Sequence, residues 1–440
     1  MPKNRKQIKP KDKPSFSDVT RNDELIRKYL QFTLLGFIFL IGIAIAKYLY
    51  MHQDLYGIWS FRSNDPPWMP PGVVASPILG EHFFGDFQLP YGLAKTEHAY
   101  GNSYNPTLPL GFLFFEVLAI FPLRISFTLF LCLSLFSLGV TTRKISVGQS
   151  EISKLVSLVL VLTSLPIFIA IDRGALILLT LNLFVVSWLN LQKYEYETQK
   201  QKYWLNVILL SIVLSWKPYL LLLVILNLKN LKIRTIYNIL GATFTLNLIS
   251  LLVFFQPISD SIHGIFNSYR LQLGSQGLEW LYGGVSINKM ILAGHYYLNG
   301  RVPDTHFLNT MSKLSLLVGT LYIFVVVFLN RFVFSQKSTR FALSLSICSF
   351  VVPVSMAYTL VWTFLAILVL INGLINEGEL ISSCEKNSTL ILLIGTSLLT
   401  LPWPTEYYLT IIPGLWIFCL IFILIFNAYK YLEIRTLRRK

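Results

Sequence analysis

Apolar residues in this chain gather into long runs separated by polar breaks, with neither a strand's period of two nor the single apolar stripe of a surface helix. The first run is Tyr29 to Tyr50. Others follow at 124–142, 152–171, 174–192, 203–216, 219–228, 235–255, 314–334, 341–355, 360–375, 389–402 and 408–427. A hydrocarbon core about 30 Å thick takes roughly 20 apolar helical residues, so the pattern predicts an all-α polytopic membrane protein. The expectation is about 12 transmembrane helices with two long loops. Runs as short as 219–228 predict broken or partly buried helices in place of full spans.

One stretch, 108–122, reads two ways. It is fifteen residues long, is bounded by Pro109 and Pro122, and contains Glu116. Inner loops of membrane proteins are enriched in Lys and Arg, and that decides the matter. If the stretch lies on the surface, 27 of the 37 Lys and Arg fall inside; if it crosses, 16 do, and the tail Arg435, Arg438, Arg439, Lys440 is outside. The first arrangement makes both termini cytoplasmic and the loops 51–122 and 256–313 extracytoplasmic. It divides the chain into a basic cytoplasmic segment 1–28, a membrane domain 29–427 and a basic cytoplasmic tail 428–440. The first segment carries nine Lys and Arg and no cleavage signature, so Tyr29 to Tyr50 reads as a retained anchor.

Composition agrees. With 54% hydrophobic residues, 13% charged and a mean hydropathy of +0.59, the solvent of this chain is mostly lipid. The net charge of +15 follows from the inner loops and suits anionic lipid headgroups at about 1 kcal/mol per basic residue near the surface. It is no signature of nucleic acid. Cys132, Cys348, Cys384 and Cys419 lie in spans or an inner loop, and their spacing fits neither an outer-loop disulfide nor a metal site. No metal or cofactor is expected.

The two long loops hold the candidate chemistry. Loops of this length in a compact protein are functional or disordered, and these are rich in Trp, Tyr, Phe and Pro, which argues for structure packed against the membrane. All six histidines, His52, His82, His98, His263, His295 and His306, lie in them, either because spans exclude polar residues or because the loops build an active site. The carboxylates of the first loop are Asp54, Asp65, Glu81, Asp86, Glu97 and Glu116. Transfer of a sugar to a hydroxyl needs a base for the acceptor proton. Asp86 fits best, because Phe83, Phe84 and Phe87 around it would desolvate it and raise its basicity, and Gly85 allows a close backbone approach. Glu81 is second. The loop has no Asp-x-Asp, so the two-carboxylate metal clamp for a nucleotide-sugar diphosphate is missing, which favours a lipid donor with a single phosphate. Cations for that phosphate are Arg173, in Asp172-Arg173-Gly174, and Lys217, in Trp216-Lys217-Pro218, both at outer helix ends. A basic group at lipid depth costs about 2.5–3.5 kcal/mol on insertion scales and marks a functional site by default. The alternatives are pairing of Arg173 with Asp172 and snorkelling of both to headgroups. Asn182 and Asn190 read as interhelical hydrogen-bond partners.

In this order the features resemble glycosyltransferase family 87, the polyprenyl-phosphate-mannose-dependent enzymes of GT-C membrane architecture. The motifs are Asp86 with Tyr91 in the first outer loop, Tyr104-Asn105-Pro106 before a short helix, Asp172-Arg173-Gly174, and Trp216-Lys217-Pro218. More distantly the chain is similar to the GPI-anchor mannosyltransferases in its Tyr-x-Pro and Arg-Gly. The resemblance covers roughly 80–230. Beyond 256 it is loose, and Gly284-Val285-Ser286-Ile287-Asn288 only faintly matches a polar loop of the family. It implies one inverting displacement with Asp86 as base; Arg173 and Lys217 are assigned to the donor phosphate by position, and Tyr91, Tyr104 and His263 are the further candidates for substrate binding. The implied donor is a polyprenyl-phosphate sugar, mannose ahead of arabinofuranose or glucose, and the acceptor a lipid-anchored glycan of a bacterial cell envelope. After Gly174 the chain departs from the family, with Ala175 and Leu176 in place of polar residues.

Two other classes compete. A transporter or flippase would need polar groups in mid-span and paired half-helices, whereas the charges here gather at outer helix ends and outer loops. A cell-envelope assembly protein without chemistry is the third.

Overall fold

The computed structural model describes residues 85–95, 100, 107–146, 164–172, 174–193, 199–227, 231–255, 257–273, 286–287, 290–292, 295, 298, 304–351, 357–377, 383–400 and 411–437. Tyr29 to Tyr50, most of 51–107 and most of 274–303 lie outside this set. The described residues form helices and no strand. In chain order these are α1 (Gly85–Ala94), α2 (Pro109–Ala119), α3 (Leu123–Ile145), α4 (Leu165–Asp172), α5 (Leu176–Lys193), α6 (Lys200–Trp216) and, after a 3-10 turn (Pro218–Leu220), α7 (Leu221–Leu226). Then come α8 (Ile233–Phe254), α9 (Ile258–Leu273), α10 (Thr305–Phe332), α11 (Lys337–Leu345) and α12 (Ile347–Phe350). A second 3-10 turn (Ala357–Val361) leads into α13 (Trp362–Glu377), α14 (Ser383–Thr400) and α15 (Ile411–Leu437).

Among the described residues five helices are long and apolar enough to cross a membrane: α3, α5, α8, and the main lengths of α10 and α15. Four of them, α3, α8, α10 and α15, leave most of their apolar length unburied, whereas α5 buries mainly apolar residues such as Leu181, Phe184 and Trp188. On α3 the buried positions include Ser126, Ser134, Ser137 and Thr141, while Ile125, Leu129, Leu133 and Phe136 face outward. Some of these hydroxyls bond back to their own helix, as Thr141 Oγ1 does to the Ser137 carbonyl at 2.8 Å, whereas Ser126 Oγ donates to the Leu118 carbonyl of α2 at 2.5 Å. Small polar residues at helix interfaces and Leu or Phe outside are the arrangement that lipid, and not water, stabilises. The exposed Phe244 and Val253 on α8, Phe324 and Phe332 on α10, and Phe418 and Ile425 on α15 repeat it.

The short runs become broken helices. Pro218 has no N–H to continue α6, so 219–228 holds a 3-10 turn and the six-residue α7. The run 341–355 divides at Ser346, which separates α11 from α12. α2 has 11 residues, about 16 Å at the rise of a helix, which is half a bilayer core. That is shorter than the helical length of one full span.

α5 lies between α3 and α6, α8 packs on α6, and α13 lies between α11 and α14. At one end of the bundle Lys144 donates to Asn190, and Asn190 Nδ2 donates to Asn206 Oδ1 at 2.9 Å, tying α3, α5 and α6 together. Trp188 stacks on Phe341, so the start of α11 lies at this same end. The C-terminus of α6 and the N-terminus of α2 lie at the other.

Candidate functional site

The site forms where α6 stops. The Leu108 N–H donates to the Ser215 carbonyl at 2.9 Å, and Pro109, the first residue of α2, has no N–H to satisfy. The next donor, Leu110 N–H, goes to Asn247 Oδ1 on α8 at 3.0 Å, while Asn247 Nδ2 donates to Ser215 Oγ at 2.7 Å. Trp216 Nε1 donates to the Gly111 carbonyl at 2.7 Å. A Cβ on Gly111 would lie 2.7 Å from Trp216 Cδ1 and 2.9 Å from the Ser215 carbonyl carbon, so only glycine permits this approach. The N-terminus of α2 is thus locked to the C-terminus of α6 and to the middle of α8.

Lys217 is the first residue past that lock. Its N–H closes α6 on the Val213 carbonyl at 3.0 Å, its backbone turns extended at φ −138°, and Pro218 starts the 3-10 turn. The side chain is hemmed in by protein yet keeps part of its surface open. Burial pushes its ammonium below the ordinary lysine value, and the charge of Asp86 opposes that shift.

Asp86 lies half-buried in the first turn of α1. Phe87, fully buried, stacks on Tyr91 and packs against Phe115, Phe127 and Phe130, which pins α1 on α2 and α3. Tyr91 is buried, its hydroxyl donates to the Phe121 carbonyl at 2.8 Å, and Lys95 lies over its ring, so here Tyr91 holds α1 to the turn between α2 and α3.

A second group of polar side chains lies on the other flank of α2. Tyr100 donates to the Thr107 carbonyl at 2.8 Å, and its ring packs on Phe112 and Phe255. Burial raises the Tyr100 pKa well above the ordinary tyrosine value, with Tyr269 of α9 and Glu116 of α2 adding to the shift. Burial also raises Glu116, which makes its carboxyl a better proton holder than an exposed glutamate.

Of the residues singled out in the sequence, Asp86 and Lys217 are brought together electrostatically, although they lie far apart in the chain. His263 is exposed on α9. Glu81, Arg173 and Tyr104 lie outside the described residues. Asn190 makes an interhelical bond, whereas the Asn182 amide donates within its own helix to Leu178 at 2.7 Å. Gly174 takes a positive φ of 61°; its N–H bonds the Ile171 carbonyl and that of Ala175 the Ala170 carbonyl, a Schellman end to α4. Ala175 and Leu176 follow at once into the buried face of α5, which gives the departure after Gly174 a packing reason. Asn247, Ser215 and Gly111 were not singled out by sequence. An asparagine in the middle of the run 235–255 was the signal available, since an amide in an apolar span needs partners. Among the described residues no group of three or more His, Cys, Asp or Glu side chains converges.

The chain matches no curated protein and no solved structure. The sequence model of glycosyltransferase family 87 matches residues 108–359, more than half of the chain, from the locked N-terminus of α2 through Lys217 to the second 3-10 turn. With its lipid-facing helices, the chain belongs to glycosyltransferase family 87 and is a membrane glycosyltransferase.

Proposed function

We propose that the protein transfers mannose from a polyprenyl-phosphate donor to a lipid-linked or cell-envelope glycan, on the extracytoplasmic face of a bacterial plasma membrane. The fold of this reading is a GT-C domain with about 12 spans. What supports it is the family match together with the partly exposed Lys217 at the end of α6, on which the charge of Asp86 acts. In one inverting displacement the acceptor oxygen bonds the anomeric carbon from one side as the bond to the phosphate oxygen breaks on the other. The acceptor proton passes to the Asp86 carboxylate. The departing oxygen keeps the electron pair, so the lipid phosphate gains one negative charge, which the Lys217 ammonium offsets together with Arg173. A carboxylate and an ammonium on separate helices, the one acting on the other, suit the two ends of that reaction.

Sidedness is supported by charge. Arg143, Lys144, Lys193, Lys200 and Lys202 cluster at the bundle end opposite Lys217, and the positive-inside rule assigns that end to the cytoplasm. Cysteines introduced at Ser63 and Ser275 should react with an impermeant reagent in intact cells; protection of both until permeabilisation would reverse the assignment. The activity test is release of polyprenyl phosphate from labelled polyprenyl-phosphate mannose by purified protein supplied with lipid-linked glycans. Release and transfer are expected. Folded protein that leaves a panel of lipid-linked sugars intact would overturn the reading.

A further inference from the structure

Helix α9 follows α8 after a short turn and divides lengthwise into three faces. Ser261, Gly264 and Ser268 form a small-residue face buried against the protein. A Cβ on Gly264 would lie 2.7 Å from the Tyr100 carbonyl carbon and 2.9 Å from Tyr100 Cβ, so this face sits directly on the Tyr100 segment. Asp260, His263, Asn267 and Arg270, at helical spacing, form an exposed polar face. Between these lies an apolar face: Ile258, Ile265 and Tyr269 half-buried, Ile262 exposed, and Phe266 72% exposed. This face continues the exposed Leu252, Val253 and Phe254 at the end of α8, which belong to the lipid-facing surface of that span.

We propose that α9 lies in the plane of the membrane surface at the Lys217 end of the bundle, its partner being the lipid bilayer itself. Ile262 and Phe266 enter the acyl boundary, and His263, Asn267 and Arg270 face the headgroups and water, with Arg270 offering its guanidinium to lipid phosphate. The 16 residues of α9 extend about 24 Å at the rise of a helix, so the helix sets the depth of the segment it touches. Through Gly264 it fixes Tyr100, which bonds Thr107 at the entry to α2, the helix locked to the end of α6 that bears Lys217. The Lys217 end of α6 is thereby held at a constant height above the lipid, as a lipid-borne substrate requires. The placement of α9 does not depend on which sugar the enzyme transfers.

The test uses the full chain in phosphatidylcholine–phosphatidylglycerol vesicles, with spin labels at Ile262→Cys, Phe266→Cys, Asn267→Cys and Arg270→Cys after the four native cysteines are changed to alanine. Labels at 262 and 266 should be open to dissolved oxygen and shielded from a water-soluble nickel chelate, with the reverse at 267 and 270. Chelate access at 266 equal to that at 267 would overturn the proposal, and so would shielding of 262 and 266 from both agents, since protein would then cover the face. If the cysteine-free chain does not fold, wild-type protein in vesicles carrying an acyl-chain photoreactive phospholipid gives the same answer. Adducts at Ile262 and Phe266, with none at His263 or Asn267, support the placement, and their absence at both apolar positions overturns it.

Discussion

Two charged side chains sit in the interior at opposite ends of this bundle, and they are held in opposite ways. Glu385, in the first turn of α14, is buried and saturated by short neutral donors: Ser335 N–H at 2.5 Å and Gln336 N–H at 2.9 Å on one oxygen, Ser335 Oγ at 2.6 Å on the other. Those donors come from the link between α10 and α11, and Gln336 in turn accepts from Thr339 Oγ1 at 3.0 Å. The carboxylate also complements the positive end of its own helix. Lys217 is surrounded as closely, yet part of its surface is open, and the charge acting on it is carried by a separate helix that rests on an aromatic cluster. A charge saturated by fixed dipoles is a tether. A charge that keeps part of its surface open, with a counter-charge on another helix acting on it, can also meet a third, which a phosphate-bearing donor would supply in the proposed reaction.

The comparison breaks first at Asp86. Asp86→Asn keeps the shape of the side chain and removes the basic oxygen, so turnover at saturating donor should fall by about 10²–10⁴ while donor binding survives. Glu81→Gln should cost less. Near wild-type turnover in Asp86→Asn with a dead Glu81→Gln would move the base to Glu81, and no effect from either would defeat the proposed chemistry.

Lys217→Ala comes next, with Arg173→Ala beside it. Each removes a charge-assisted contact to phosphate worth about 1.5–3 kcal/mol, or roughly a 10- to 150-fold rise in donor KM or fall in turnover. Single-turnover transfer with polyprenyl-phosphate sugar measures it. Unchanged donor binding in both, at equal expression, would return these residues to headgroup snorkelling.

Glu385→Gln should do the reverse. Its amide turns a donor toward Ser335 and loses the ionic acceptor, so stability should drop by about 1–3 kcal/mol. The thermal unfolding midpoint in detergent should fall, while turnover per folded molecule should not change. A lost turnover at an unchanged midpoint would mean that the tether communicates with the site.

Much of this was legible in the apolar runs. They mark the long helices, the short run 219–228 marks the break after α6, and 108–122, which the apolar pattern left open, was read as a surface helix from charge alone. Asp86 and Lys217 were each legible as charges in costly places. Their convergence was not, because it depends on Phe87 seating α1 and on Asn247 joining α8 to α2 and α6, contacts between segments remote in the chain. Gly111 looks like any glycine in an apolar run until the Trp216 indole is placed against it. Glu385 gave no sign of its burial, since Ser335 and Gln336, which make that burial tolerable, belong to another loop.

The smallest effect is also the most direct test of the pairing. Burial holds the Lys217 pKa below that of an ordinary lysine, and Asp86 acts against the shift. In the window between the folded and unfolded pKa values the folded protein binds fewer protons than the unfolded chain, so stability rises with pH there. Donor binding, which needs the ammonium, falls over the same window, so the two quantities move in opposite directions. Donor affinity measured across alkaline pH should therefore decline earlier than an ordinary lysine would dictate. Lys217→Arg should abolish that decline, because a guanidinium stays charged throughout. Asp86→Asn removes the charge that supports the ammonium, so the decline should begin at a lower pH than in the wild type. If the profile of Asp86→Asn overlays the wild type while Lys217→Arg removes the decline, Lys217 titrates as argued but does not sense Asp86, and the base must be sought elsewhere in the first loop.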